Sequence, residues 1–323
     1  MLAFVAQRIV KGMVVLIAII VMNFFLIRLA PGDPAVVMAG EAGASDKVFV
    51  AQLREKFGLD RPLPEQLFVY VKGVLALDLG FSFRQQAPVS TLILDRLPAT
   101  LLLTLTAFAI SLVLGVLFGA LAARFAGTWA DTAITVLALV FYATPLFWVA
   151  LMAILLFSVA LDWLPSFGYE TVGANYTGLT HVLDVAAHLV LPATTIGLFF
   201  MATYARMTRA SMLEVNRLDF VKTARAKGLS DTVIQRRHVL RNALLPVVTL
   251  AGLQAGTLVG GAVLTETVFA WPGIGRLMYE ALLQRDYNLL LGVFVVCSAM
   301  VLAFNLITDL VYRSVDPRIE FAS

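Results

Sequence analysis

The 323-residue sequence is short of charge, thiols and imidazoles. Only 14% of its residues are Asp, Glu, Lys or Arg, against roughly 25% in ordinary soluble domains. With 60% hydrophobic residues and a mean hydropathy of +0.88, it has too little polar surface to clothe a water-soluble exterior. Lipid is the alternative solvent, and it demands apolar runs of about 20 residues whose backbone groups bond internally. A single cysteine, Cys297, excludes an internal disulfide and a cysteine zinc site, and reads as a small packing residue. His181, His188 and His238 fall in separate segments, so no metal-ligand spacing exists. Neither GxxxxGKS nor GxxxxGKT occurs, and no GxGxxG follows a strand. Any energy the protein uses therefore does not come from a phosphate loop of its own. An intramembrane enzyme is disfavoured too, because no His-Glu cluster or plausible Ser/His pair lies at membrane depth.

What is present is a set of six runs almost free of charge. They lie between Lys11 and Arg28, extending to about Ala30, between Arg96 and Arg124, and between Asp131 and Asp162. The others cover Val185–Ala205, Arg241 to Glu266 and Asp286 to Asp309. Each can cross a bilayer, the longer ones with tilt or overhang. The expected fold class is an all-α integral membrane protein with six transmembrane helices. Arg8 and Lys11 precede the first run, but RLAPGDPA after it is no small-x-small cleavage site, so the span is expected to be retained.

An even number of spans puts both termini on one side. That side holds Arg8, Lys11, Arg124, Arg313 and Arg318, together with nine of the 24 Lys and Arg residues between Arg206 and Arg241. The loop 162–184 has none, and 267–285 has only Arg276 and Arg285. Both termini and the basic loop are thus predicted to be cytoplasmic. The long loop 31–96 then lies outside, where Leu67, Val71, Val74 and Leu75 recur at helical spacing after Arg61-Pro62. It reads as two short amphipathic helices capping the outer face.

Ionisable groups near membrane depth are Arg28, Glu266 and Asp309, all close to span ends, and His188. An ion-driven carrier would instead hold an acidic or histidine relay near the midplane. Asn23, Gln254 and Asn305 are the polar side chains most costly to leave unpaired in lipid, which makes them candidates for the translocation path or for interhelical bonds. Thr144-Pro145 interrupts the third run, while Gly256, Gly260 and Gly261 offer the fifth close-packing faces.

The stretch DFVKTARAKGLSDTVIQRRHVLRNALLP, residues 219–246, is the informative one. Asp219 is a good helix N-cap, and Gly228 suits the left-handed residue that ends a helix. Phe220, Val221 and Ala224 share a face. Lys222, Arg225 and Lys227 lie mostly elsewhere, and the last two favour the negative end of the helix dipole. Leu229 follows, and Ser230 or Asp231 restarts a helix. So short a helix is marginal in water and needs a docking surface. Its small apolar patch fits a groove in a partner protein better than a lipid surface, which calls for a broad stripe.

Those residues resemble the cytoplasmic loop of permease subunits of ATP-binding-cassette importers, in the branch that serves dipeptides and oligopeptides. RLAPGDPA, GLDRPL, DRLPATLLLTL, LDWLPSFGY and ETVFAWPGIGRLMYEALLQRDYNLLLG fit the same branch in the same order, so the resemblance covers nearly the whole chain. It implies a type I importer permease: an N-terminal segment and span over 1–30, an exterior loop over 31–96 and a five-helix core over 97–312. The coupling loop would be 206–243 and the cytoplasmic tail 313–323. It implies a second homologous permease, two ATPase subunits that bind ATP and Mg, and an extracytoplasmic substrate-binding protein. No catalytic residue, metal or cofactor is expected in this chain. The Glu-Ala-Ala-xxx-Gly motif of such permeases falls on Lys222, Thr223, Ala224 and Gly228. Lys222 stands where the motif has Glu, the wrong sign for a salt bridge to an Arg of the ATPase. ATPase coupling is thereby assigned to Asp219, Phe220, Val221, Lys222, Thr223, Ala224, Arg225, Gly228 and Leu229. An outer-mouth loop follows as Glu266, Trp271, Pro272, Gly273 and Arg276, ahead of an apolar helix face formed by Ile274, Leu277, Met278, Ala281 and Leu282. Cargoes of the branch include dipeptides, longer peptides, glutathione and chelated nickel.

Overall fold

The computed structural model describes residues 2–29, 36, 47–56 and 60–315. The side chains of Arg28 and Asp309, the packing of Gly256, Gly260 and Gly261, and most of the tail 313–323 lie outside what is described. The chain divides into two compact units, 1–98 with 276–306 and 99–275 with 307–323.

In the first unit, α1 (Leu2–Leu29) packs against α3 (Leu63–Leu75), and α2 (Lys47–Lys56) lies between them in the chain. Ile20, Val74 and Val295 form the buried contact, flanked by Leu16, Tyr70, Val71 and Leu79. Pro64, in the first turn of α3, fits the first-turn preference of proline. Leu75, expected on the packed face, is exposed. A two-residue hairpin, β1 (Phe81–Ser82) with β2 (Ala87–Pro88), adds a strand pair that the all-α reading did not include. It is tied down by the start of α12 (Tyr287–Val315). Buried Asp286 accepts a bond from the Leu289 amide at 3.0 Å, capping α12, and another from the Ser82 hydroxyl.

The second unit is built around α7 (Leu179–Val215), which buries more of its apolar window (56%) than any other span-length helix scored among the described residues. Its stripe Val185, Leu189, Ala193 and Ile196 meets Ala99, Leu103 and Ala107 of α4 (Val89–Arg124), both at helical spacing. Four described helices, α1, α4, α7 and α12, are long and apolar enough to cross a membrane. The third expected span is not one straight rod. It consists of α5 (Trp129–Ala143) and α6 (Leu146–Ala153), the latter continued by a π-helical turn over Ile154–Ala160, bent by 103° at the break. Thr144 adopts extended angles (φ −83, ψ 134), as a residue before proline must, and Pro145 has no amide to continue the ladder. Counting this pair as one span gives five. The remaining expected span falls on α10 (Arg241–Val268), a 28-residue helix whose side chains 255–261 lie outside the described residues.

Candidate functional site

The basic loop begins where α7 ends. Asn216 receives a bond from Gln235 Nε2 at 2.9 Å, which ties the two limbs of the loop together. α8 (Asp219–Ala226) follows. Its N-cap is Leu218, with no side-chain cap, so Asp219 is the first helical residue rather than the cap expected from the sequence. Asp219 acts instead within the first turn, accepting from Lys222 Nζ at 2.8 Å. The pair is exposed, so it contributes little.

The far end of α8 is closed as expected. Gly228 has φ +76, its amide bonds Arg225 O at 2.9 Å and the Leu229 amide reaches Ala224 O at 3.4 Å. That pair of bonds is the Schellman motif, which requires a left-handed residue at Gly228. Ser230 is the N-cap position of α9 (Asp231–Val233), which runs through a π-helical turn over Ile234–Leu240 into α10.

The apolar patch of α8 faces inward, contrary to the expectation of a partner groove. Val221 and Ala224 are buried with Ala123, Met212, Ile234, Val239 and Ala243 of the same chain. Burying Val221 completely contributes about 2 kcal/mol, enough to hold a helix too short to persist alone. Phe220 remains 41% exposed. It shares the outer surface with exposed Lys222, Thr223, Arg225, Lys227 and Leu229.

The corner that follows α10 is packed just as firmly. Glu266, at the end of α10, is completely buried and accepts the Thr100 hydroxyl at 2.7 Å. Thr100 in turn receives the Ile274 amide at 2.7 Å, satisfying a donor in the first turn of α11 (Ile274–Gln284). A carboxylate beside a helix N-terminus is also electrostatically favoured. Trp271 is fully buried, donating Nε1–H to Ala99 O at 2.9 Å and packing on Tyr169 at 4.9 Å. Gly273 is buried and Pro272 half-buried, while Arg276 Nε bonds Glu280 at 2.8 Å. Glu266 and Trp271 both belong to the interior of the corner, so any exposed mouth must be formed by their neighbours.

The three path candidates occupy unlike places. Asn23 on α1 is 2% exposed with its Nδ2 unpartnered, Gln254 on α10 is half-buried, and Asn305 on α12 is exposed. His188 is buried, with Nδ1 2.8 Å from Asp184 O.

The sequence reading missed the ion pair that ties α5 to α7. Asp131, used there only to mark the edge of a run, is buried at the start of α5 and takes two bonds from Arg209 of α7, each 2.7 Å. The Gly127 amide adds a third at 3.0 Å. Separated by 78 residues, the partners leave no local signal. Removing one partner strands the other in a poorly solvated site. Asp131→Ala is expected to destabilise the protein by about 2 kcal/mol, less than a fully buried pair would lose because Arg209 keeps 34% of its side-chain surface. Thermal unfolding in detergent measures it, and an unshifted midpoint would contradict the structural role.

Several helices of membrane-crossing length and apolarity define the class as an integral membrane protein. The family model described as "Binding-protein-dependent transport system inner membrane component" matches residues 115–321, and the model of that family's N-terminal region matches 1–104. The chain belongs to this family. It is a non-catalytic permease subunit of an ABC importer. It is 39% identical over 337 residues to the dipeptide transport system permease protein DppB of Escherichia coli K12, covering 99% of both chains. Identity is also 39% over 336 residues to DppB of Alkalihalophilus pseudofirmus (99% and 100% covered), and 39% over 321 residues to a peptide transport system permease protein of Brucella abortus (strain 2308; 99% and 100%). A chain of the inward-facing MetNI methionine ABC transporter superposes with TM-score 0.55 at 22% identity, covering 70% of this chain and 96% of its own. A chain of an amino acid ABC transporter with histidines gives 0.52 at 17%, covering 70% and 94%. The shared fold is that of type I importer permeases.

Proposed function

We propose that this chain forms part of the translocation path for di- and oligopeptides and is driven through α8 by separate ATPase subunits. It would work beside a second, homologous permease, two ATPases and an extracytoplasmic binding protein. The cargo reading is supported by identity to dipeptide permeases across 99% of the chain. The coupling reading rests on one observation: α8 is anchored from within by Val221 and Ala224 and leaves Phe220, Lys222, Thr223, Arg225 and Leu229 exposed. That outer face is what an ATPase groove would grip. Closure of the ATPases on ATP would move α8, and its anchor on α7 and α10 would carry the motion into the spans. Because Lys222 is engaged with Asp219, the contact relies on Phe220 and Leu229 in a basic surround rather than on a glutamate. The outer corner from Glu266 to Arg276 would support the surface that meets the binding protein.

Two measurements test the reading. A reporter fused at Gln235 is expected to report the cytoplasmic side, with both termini on that side too, and an exterior signal would overturn the orientation. Phe220→Asp with Leu229→Asp is expected to reduce peptide uptake more than tenfold while the subunit stays in the membrane. Uptake at the wild-type rate would refute coupling through this face.

A further inference from the structure

The third run, broken at Thr144-Pro145, carries an arrangement that neither coupling nor packing explains. α5 and α7 run antiparallel, matched at one end by Asp131 with Arg209 and further along by Tyr142 stacked on Phe199, ring centroids 5.7 Å apart. Tyr142 lies eleven residues beyond Asp131, which is about 16 Å along the helix and near half the depth of a hydrocarbon core. Arg206 is only one turn from Arg209, yet its guanidinium sits 4.9 Å from the centre of the Tyr142 ring. Side chains on a helix lean toward its N-terminus. Arg206 on α7 and Tyr142 on α5 consequently lean toward each other, and the cation is carried inward rather than out to the basic loop.

Both residues are exposed, Tyr142 at 45%, and so is Pro145 just beyond. Among the described residues no carboxylate pairs with Arg206. Where a broken span of this kind crosses a bilayer, open, non-helical backbone and a charged side chain are not left to lipid; they face protein or a water-filled cavity. A broken span beside a fixed charge is also how membrane proteins build sites for charged cargo. The Tyr142 face offsets part of the cost of holding a cation there, and it leaves the guanidinium edge free for a two-point contact. A carboxylate is the anion that suits this geometry.

Building on the peptide reading, we propose that Arg206, seated on Tyr142 beneath the Thr144-Pro145 break, receives the C-terminal carboxylate of the peptide in transit. Every unblocked peptide carries that group whatever its side chains, so one fixed cation serves a sequence-tolerant path.

The test uses the complete transporter with its binding protein in vesicles, a dipeptide, and the same dipeptide as its C-terminal amide, with rates normalised to reconstituted complex. Arg206→Gln is expected to lower uptake of the free acid at least tenfold and that of the amide far less, so the acid-to-amide ratio falls from its wild-type value. Arg206→Lys restores most of the acid uptake, and Tyr142→Leu lowers it several-fold. Because the binding protein is unchanged, its own preference cancels between variants. Equal proportional loss on acid and amide, or no loss, overturns the proposal. So does a loss on acid that appears only in vesicles containing anionic phosphatidylglycerol, which would make lipid phosphate the ligand. Absence of peptide uptake by the wild-type transporter would instead refute the peptide reading, and this subsite with it.

Discussion

Replacing Gly228 by valine is expected to leave the protein inserted but to stop transport. The space is not the difficulty, since a Cβ at Gly228 would meet nothing within 4 Å. The backbone is, because φ is +76 there. A β-branched residue in the left-handed region costs about 1–2 kcal/mol, and the Schellman bonds from Gly228 and Leu229 depend on that conformation. α8 is held chiefly by Val221 and Ala224, so strain of this size rivals what keeps the helix in place. The spans do not depend on it. Membrane abundance should therefore stay near wild type while ATP hydrolysis by the assembled transporter continues without uptake. Gly228→Asn gives the graded control, because asparagine tolerates left-handed angles and should retain most activity. Wild-type uptake by the valine variant would mean that α8 is not a coupling element.

Gly273→Ala is expected to act on folding instead. A Cβ at Gly273 would overlap the Glu266 carboxylate. That carboxylate is no loose surface group: it is fully buried and bonded to Thr100. Moving it means leaving a buried charge short of partners, and forcing atoms into such a site typically costs about 1–3 kcal/mol or more. The amount of folded subunit in the membrane should fall severalfold, with a lower unfolding temperature in detergent. Glu266→Ala should also destabilise, by stranding the Thr100 hydroxyl. Combining the two should be no worse than Glu266→Ala alone, because the clash disappears with the carboxylate. Additive losses would place the harm of Gly273→Ala elsewhere.

These two glycines show what the sequence could and could not say. Gly228 was legible because helix ends are local: a basic last turn, a glycine and a restart at Ser230 or Asp231 carry their own geometry. The apolar runs were legible for a similar reason, since charge is expensive in lipid wherever the chain goes. Gly273 was legible only as part of a loop. Its meaning depends on Glu266 and Thr100, and Thr100 is separated from Glu266 by 166 residues. Asp131 with Arg209 failed in the same way. The face of α8 failed differently: helical spacing correctly grouped Val221 with Ala224, but three apolar residues suit a neighbour in the same chain as well as a partner. Likewise Thr144-Pro145 announced a break without announcing its 103° angle, which is set by what α5 and α6 pack against.

The π-helical turn over Ile234–Leu240 bears on how such a subunit can diverge. A wide turn holds one residue more than the α-helical path it replaces, so the surface beyond it is rotated by about 100° from where an unbroken α-helix would place it. Ile234, packed with Val221, and the buried positions of α10, such as Val247, are therefore out of phase as written in the sequence. Loop and span carry two independent angular settings, and a single inserted or deleted residue between them would re-aim one against the other without changing either.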